Sequence, residues 1–185
     1  MIIVKSYSNT DNWKCYHRGV DSSAPEDYAV FLDGNGTRQD SNDYWNDTAP
    51  TSTQFTVSWS TNGNNQTWIA YLFAHNNNDG IFGPDGDEDI IKCGFYTGDS
   101  GSQQITLGFE PQWIIVKNTS RASTNWGIFD TTRYWQNPAV GGDSKYLNPN
   151  ANSAESGIAR FYPTATGFGF TTENGTHMNN LNDTY

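Results

Sequence analysis

The chain has 185 residues, of which 16% are charged, a formal net charge of -10, and 7 Trp, 10 Tyr and 10 Phe. Its few basic residues are scattered, which argues against a nucleic-acid partner because phosphate binding needs clustered cations. No apolar run reaches the roughly 20 residues of a membrane span, so no membrane insertion is expected, and the aromatic content is not that of a disordered chain. The N-terminus lacks a basic stretch followed by an apolar one, so no cleaved signal is expected within these residues.

In chain order, short apolar or alternating runs bounded by turn residues read as strands, with little helical periodicity. The predicted strands are Ile2–Lys5, Asn12–His17, Tyr28–Leu32, Gln54–Trp59, Trp68–His75, Ile90–Tyr96, Gln103–Leu107, Trp113–Asn118, Trp126–Thr131, Lys145–Asn148, Ile158–Tyr162 and Gly167–Thr171. Phe55, Val57 and Trp59 alternate with Gln54, Thr56 and Ser58, which predicts one buried and one solvated face. Trp68–Phe73 is apolar nearly throughout and reads as a central strand covered on both sides.

One pattern occurs twice. Ile2-Ile3-Val4-Lys5 followed by Trp13 returns as Ile114-Ile115-Val116-Lys117 followed by Trp126. The expected fold is all-β: two tandem, jelly-roll-like β-sandwich repeats with a period of about 111 residues. The expected divisions are a first repeat at 1–78, an acidic Gly/Pro linker at 79–89, and a second repeat at 90–185. Each repeat reads as truncated at one chain end. The first lacks a counterpart to Ile90–Trp113, and the second stops where a counterpart to Gln66–Ala74 would start. The exposed edges are expected to be covered by polypeptide outside these residues or by another subunit. Trp13 and Trp126 are expected to fill the two sandwich centres, and Trp45 to be a core residue.

The densest carboxylates, Asp79, Asp85, Asp87 and Asp89, fall in the linker. Alternating Asp in a flexible turn suits a calcium ion, whereas a solvated acidic linker is the plainer reading. The EF-hand template fails, with Ile90 in place of its Gly and Tyr96 in place of its Glu. Tyr134, Trp135 and Asn137 put aromatics beside an amide in a Gly/Pro/Asn-rich stretch, the mixture that stacks and hydrogen-bonds sugars. Local packing is the competing reading. His17, His75 and His177 share no spacing with each other or with cysteine that suits zinc. Cys15 and Cys93 read as two free buried thiols, Cys15 aligning near Ile128, with a disulfide between them as the competing reading. No nucleophile motif or Walker loop is present.

Asp89-Ile90-Ile91-Lys92-Cys93-Gly94-Phe95-Tyr96-Thr97-Gly98 and Leu107-Gly108-Phe109-Glu110-Pro111-Gln112-Trp113, with Trp126–Asp130 and Trp68–Ala74, carry a resemblance. Together they resemble a repeated β-domain of tail-fibre and other virion structural proteins of marine bacteriophages. Its members have a "DIIKCGSYTG" strand, a "LGFEPQW" strand pair, a Trp strand ending in Asp and a "YIAYxFA" closing strand. Phe95 departs from that pattern, as does the first repeat after His17. The resemblance covers most of the chain and implies tandem β-domains at a virion surface, extracellular, with no catalytic residue to transfer.

The leading expectation is therefore a non-enzymatic virion component, a tail fibre or appendage, partnered by other copies of itself or by other virion proteins. The alternative is a carbohydrate-binding module for a host surface glycan, with Ca2+ as a possible cofactor. A glycan depolymerase needs two carboxylates across a cleft. Asp130 and Glu155 are candidates that sequence does not pair.

Overall fold

The structure, a computed structural model, describes residues 1–75, 90–135, 143–158, 161–171 and 178–185. The chain is nearly all β and divides into two compact units, Met1–Phe95 and Tyr96–Tyr185. The expected linker at 79–89 lies outside the described residues, as does Asn137. Of the expected strand Ile90–Tyr96, taken to open the second unit, Ile90–Phe95 belongs to the first unit and pairs with no strand among the described residues. The Cys93 amide donates to His75 Nδ1 at 3.0 Å, and Gly19 leaves room for the Phe95 ring, where a Cβ would sit 3.0 Å from it.

Among the described residues the first unit holds one antiparallel sheet of β1 (Ile2–Ser6), β2 (Lys14–Tyr16), β3 (Tyr28–Phe31), β4 (Gln39–Asp40) and β5 (Trp68–Leu72), in the order β4-β3-β2-β1-β5. Ile2 faces Tyr16, so the alternation of β1 sends Ile2 and Val4 to one face. There they join Tyr16, Ala29 and Trp45 in a buried cluster. Trp45 comes from a one-turn helix, α1 (Asn42–Trp45), started by Ser41 Oγ accepting from the Asp43 amide and stopped by Asn46 at φ 52. Its ring meets Tyr16 edge-on at 6.0 Å, and its Nε1 donates to the Tyr28 carbonyl at 3.0 Å. Ile3, Cys15 and Val30 form a buried row on the opposite face.

Three expectations for this unit are corrected. Trp68–Leu72 is the edge strand of its sheet instead of a central one, with Ile69, Tyr71 and Leu72 exposed. A continuous apolar run signals two-sided burial only where neighbours exist to cover it. Gln54–Trp59 forms no strand, and Trp59 is 77% exposed. The amides of Ser58 and Ser60 donate instead to the carbonyls of Tyr44 and Asp43, so the stretch is spent covering α1. Trp13 lies half-buried, stacked on Tyr71 with ring centroids 6.1 Å apart, and is not the centre of a sandwich.

The second unit is a two-sheet sandwich. One sheet holds β7 (Trp113–Val116), β8 (Gly127–Asp130), β9 (Ser144–Leu147) and β10 (Ser156–Ile158) in the order β10-β9-β8-β7. The other holds β6 (Gln103–Thr106), β11 (Phe161–Thr164) and β12 (Gly167–Phe170) in the order β11-β12-β6. Phe129 from the first sheet and Phe161, Phe168 and Phe170 from the second meet in an aromatic core with Tyr96, Trp135 and Tyr185. Phe129 and Phe161 pack edge-on at 4.4 Å, and Tyr96 and Tyr185 stack at 4.9 Å. Trp126 is buried, but this cluster is built from other rings. At Gly167 a Cβ would fall 1.9 Å from the Ile105 carbonyl, so β12 approaches β6 only through glycine.

β1 to β4 and β7 to β10 are both antiparallel meanders. Ile115, Ile128 and Leu147 form a row across β7, β8 and β9, as Ile3, Cys15 and Val30 do across β1, β2 and β3. The spacing between the rows is 112 residues at Ile3 and Ile115 and widens to 117 at Val30 and Leu147, because the second unit has longer loops.

Candidate functional site

β8 ends at Asp130, whose carboxylate caps a 3-10 turn, Thr131–Arg133, by accepting from the Arg133 amide at 3.0 Å. Tyr134 then takes a left-handed conformation, φ 64. That reversal decides the fate of two adjacent aromatics. Tyr134 is turned out to 66% exposure, while Trp135 is turned in to 1% and stacks on Phe161 at 5.3 Å. Trp135 is therefore corrected: it is a core residue with no face for a ligand at the surface.

Around Tyr134 the turn gathers charge. Arg133 pairs with Asp130 through Nη1, and its Nε lies 3.7 Å from Glu155 Oε2. The two carboxylates that sequence could not pair thus share one guanidinium, which occupies the space between them. Trp113 stands opposite Asp130 across β7 and β8, on the same face, and is 51% exposed. The turn thus carries one exposed ring, Tyr134, directly after an Arg–carboxylate cluster, and a second exposed ring, Trp113, lies across the sheet from Asp130. Aromatic rings and charged hydrogen-bonding groups are the chemistry that stacks and holds a polar ring. A capping Asp before Thr-Thr-Arg was the legible signal for this turn, and sequence reasoning passed over it.

Elsewhere two lysines hold loop backbone. Lys5 and Lys117 each follow Ile-Ile-Val and each reaches into the loop before the next strand. Lys5 Nζ donates to the carbonyls of Asn9 and Asp11 at 3.0 and 2.6 Å. Lys117 Nζ donates to the Asn118 and Thr124 carbonyls at 2.8 and 2.9 Å and to Thr124 Oγ1 at 3.2 Å. Burial pushes the Lys117 ammonium down to about 8. Asp183 accepts from Asn118 at 2.8 Å, Arg121 at 2.9 Å and Asn180 at 3.2 Å, and the Arg121 hydrogen bond leads in holding its carboxyl low.

A family model described as a domain of unknown function, DUF7483, matches residues 1–185. The chain belongs to the DUF7483 family. No curated protein and no solved structure matches it. In this DUF7483 chain burial lowers His17 to about 4, and its Nδ1 accepts from the Gly19 amide at 3.1 Å. His75 is lowered for the same reason. Cys15 and Cys93 are free and buried, and burial raises Cys15 to about 12. Among the described residues no three His, Cys, Asp or Glu side chains group as metal ligands. Asp79, Asp85, Asp87 and Asp89 lie outside those residues, as does His177. No helix among them is long and apolar enough to cross a membrane.

Proposed function

We propose that this DUF7483 chain is a non-enzymatic structural module of a virion surface, a tail fibre or related appendage built from tandem β-units that present a contact to the host. The observation that carries the reading is the twice-built meander. Four antiparallel strands in the same order recur, each opened by Ile-Ile-Val and each with the following lysine gripping loop carbonyls. A repeated unit whose lysines are spent on its own loop backbone suits spacing and display. The bacteriophage resemblance supplies the setting. Immunogold labelling and mass spectrometry of purified particles test it. The protein is expected in the particle, and its recovery solely as free soluble protein would overturn the reading.

A second reading is favoured by the turn at Tyr134: a carbohydrate-binding module for a host surface glycan, using Tyr134, Trp113 and Arg133. Calcium at the Asp79–Asp89 carboxylates belongs to this reading. A glycan array with and without chelator tests both parts. Binding lost on Tyr134→Ala supports the turn, and binding lost with chelator supports the ion. Silence in both conditions removes the reading.

A further inference from the structure

Among the described residues the three sheets end in six edge strands, and four are blunted in ways that discourage pairing. β4 is two residues long and carries Asp40; β10 is three residues long and contains Gly157. β11 carries Pro163, and β6 is mostly polar, with Gln103, Gln104 and Thr106. β5 and β7 have none of these protections. Their sequences, WIAYL and WIIV, hold no charge, proline or glycine. They also carry exposed large apolar side chains: Leu72 at 63%, Tyr71 at 45%, Ile69 at 41% and Trp113 at 51%.

Among the described residues no strand pairs with the outer side of either edge, and the positions of the outward backbone groups can be identified. Met1 and Phe73 exchange two backbone bonds, and the Tyr7 amide donates to Thr67. The alternation of an antiparallel ladder then points the amides of Trp68, Ala70 and Leu72 away from β1. The Thr131 amide donates to Gln112, which by the same alternation points the amides of Trp113 and Ile115 away from β8.

We propose that the open edge of β5 in one copy of the chain pairs with the open edge of β7 in a second copy, joining their sheets head to tail. The occupant is another copy because one chain carries both unprotected edges, and neither strand opposes a like charge to the other. An interface between two unlike patches propagates, so the product is a linear or closed array instead of a fixed dimer. Pairing four or five residues a side makes a small interface, below about 1,200 Å2, and a dissociation constant on the order of 10–100 μM is expected. At a net charge of -10 the copies repel overall, so added salt strengthens the association.

The test is sedimentation equilibrium of the full chain from about 1 μM to about 500 μM, spanning that range of affinity. Ala70→Pro and Ile115→Pro each remove one outward amide while leaving the β1–β5 and β7–β8 bonds in place. The wild type is expected to associate progressively, and each variant alone to lose at least about tenfold in affinity. An equimolar mixture of the two is expected to regain association, stopping at the heterodimer, since one partner keeps β7 and the other β5. A wild type that stays monomeric throughout overturns the proposal. So does a single variant that self-associates like the wild type, which would mean like edges pair with like. If either proline variant misfolds, as read by near-ultraviolet circular dichroism, Leu72→Lys and Trp113→Lys place a charge at the same edges on exposed positions. The proposal does not rest on a virion location, and the particle assay and the ultracentrifuge can fail independently.

Discussion

Replacing Lys117 by Met should change how the stability of the second unit depends on pH. Lys117 is 5% exposed, and its folded-state value lies at about 8 against 10.5 for the free side chain. Below about 8 both states carry the proton, and the fold bears the full cost of a desolvated ammonium. Between 8 and 10.5 the unfolded chain holds more protons than the folded one, so stability rises with pH across that window. Integrated from pH 7.5 to 9.5, those two values give a gain of about 2 kcal/mol from this side chain. Buried Cys15 and Tyr96, both raised, titrate with the opposite sign toward the alkaline end. They are common to both proteins and cancel in the difference. Urea unfolding at half-unit pH steps should therefore show the wild type gaining about 2 kcal/mol on Lys117→Met over the window. The variant also leaves the Asn118 and Thr124 carbonyls without their donor, which costs about 1–3 kcal/mol for each such group independently of pH. The vertical offset between the curves is thus a separate matter from their slopes. Parallel curves would refute the reasoning, because they would mean that the ammonium stays solvated in the fold.

Trp135→Ala should lose about 3–5 kcal/mol in denaturant titration, since its ring is buried against Phe161 and Phe129. Its neighbour behaves oppositely: Tyr134→Gly should be neutral or stabilise by up to about 1 kcal/mol, because glycine accepts φ 64 without strain. Asp183→Asn weakens the tie between the loop from Asn118 and the chain end, and should cost about 1–3 kcal/mol. The Asp183 carboxyl is held low, so its contribution is present above pH 4 and is lost as acid protonates the folded state. The Asp183→Asn variant should therefore show a shallower acid limb in stability against pH. Cys15, raised to about 12, should react with a thiol reagent only at the rate at which the first unit opens, and faster labelling at pH 8 would show that it is accessible.

Elements rich in β-branched and aromatic residues, such as Ile2–Ser6, Tyr28–Phe31 and Trp113–Val116, were legible because pattern and propensity agree there. β4 and β10 were missed, being two and three residues long with little apolar pattern to detect. Gln54–Trp59 alternates as a strand does, yet a strand requires a partner strand for its amides; that of Ser58 goes to the Tyr44 carbonyl and that of Gln54 to Thr51 Oγ1. At the candidate site, two neighbouring aromatics gave no hint of which would be exposed. One positive φ settled that, and Tyr carries little preference for it. The meeting of Asp130 and Glu155 on Arg133 spans β9 and its loops, a closure that no local pattern encodes.

Lys5 and Lys117 grip main-chain carbonyls, a group that every amino acid possesses. The path of each loop is thereby set independently of most side chains along it. Residues 6–13 and 118–126 have little sequence in common, yet both return the chain to the neighbouring strand. A single ammonium at the root of a loop thus separates what must be kept from what is free to change. Exposed positions such as Thr10 and Ala122 can diverge under selection by whatever meets this surface, while the sheet beneath keeps its geometry.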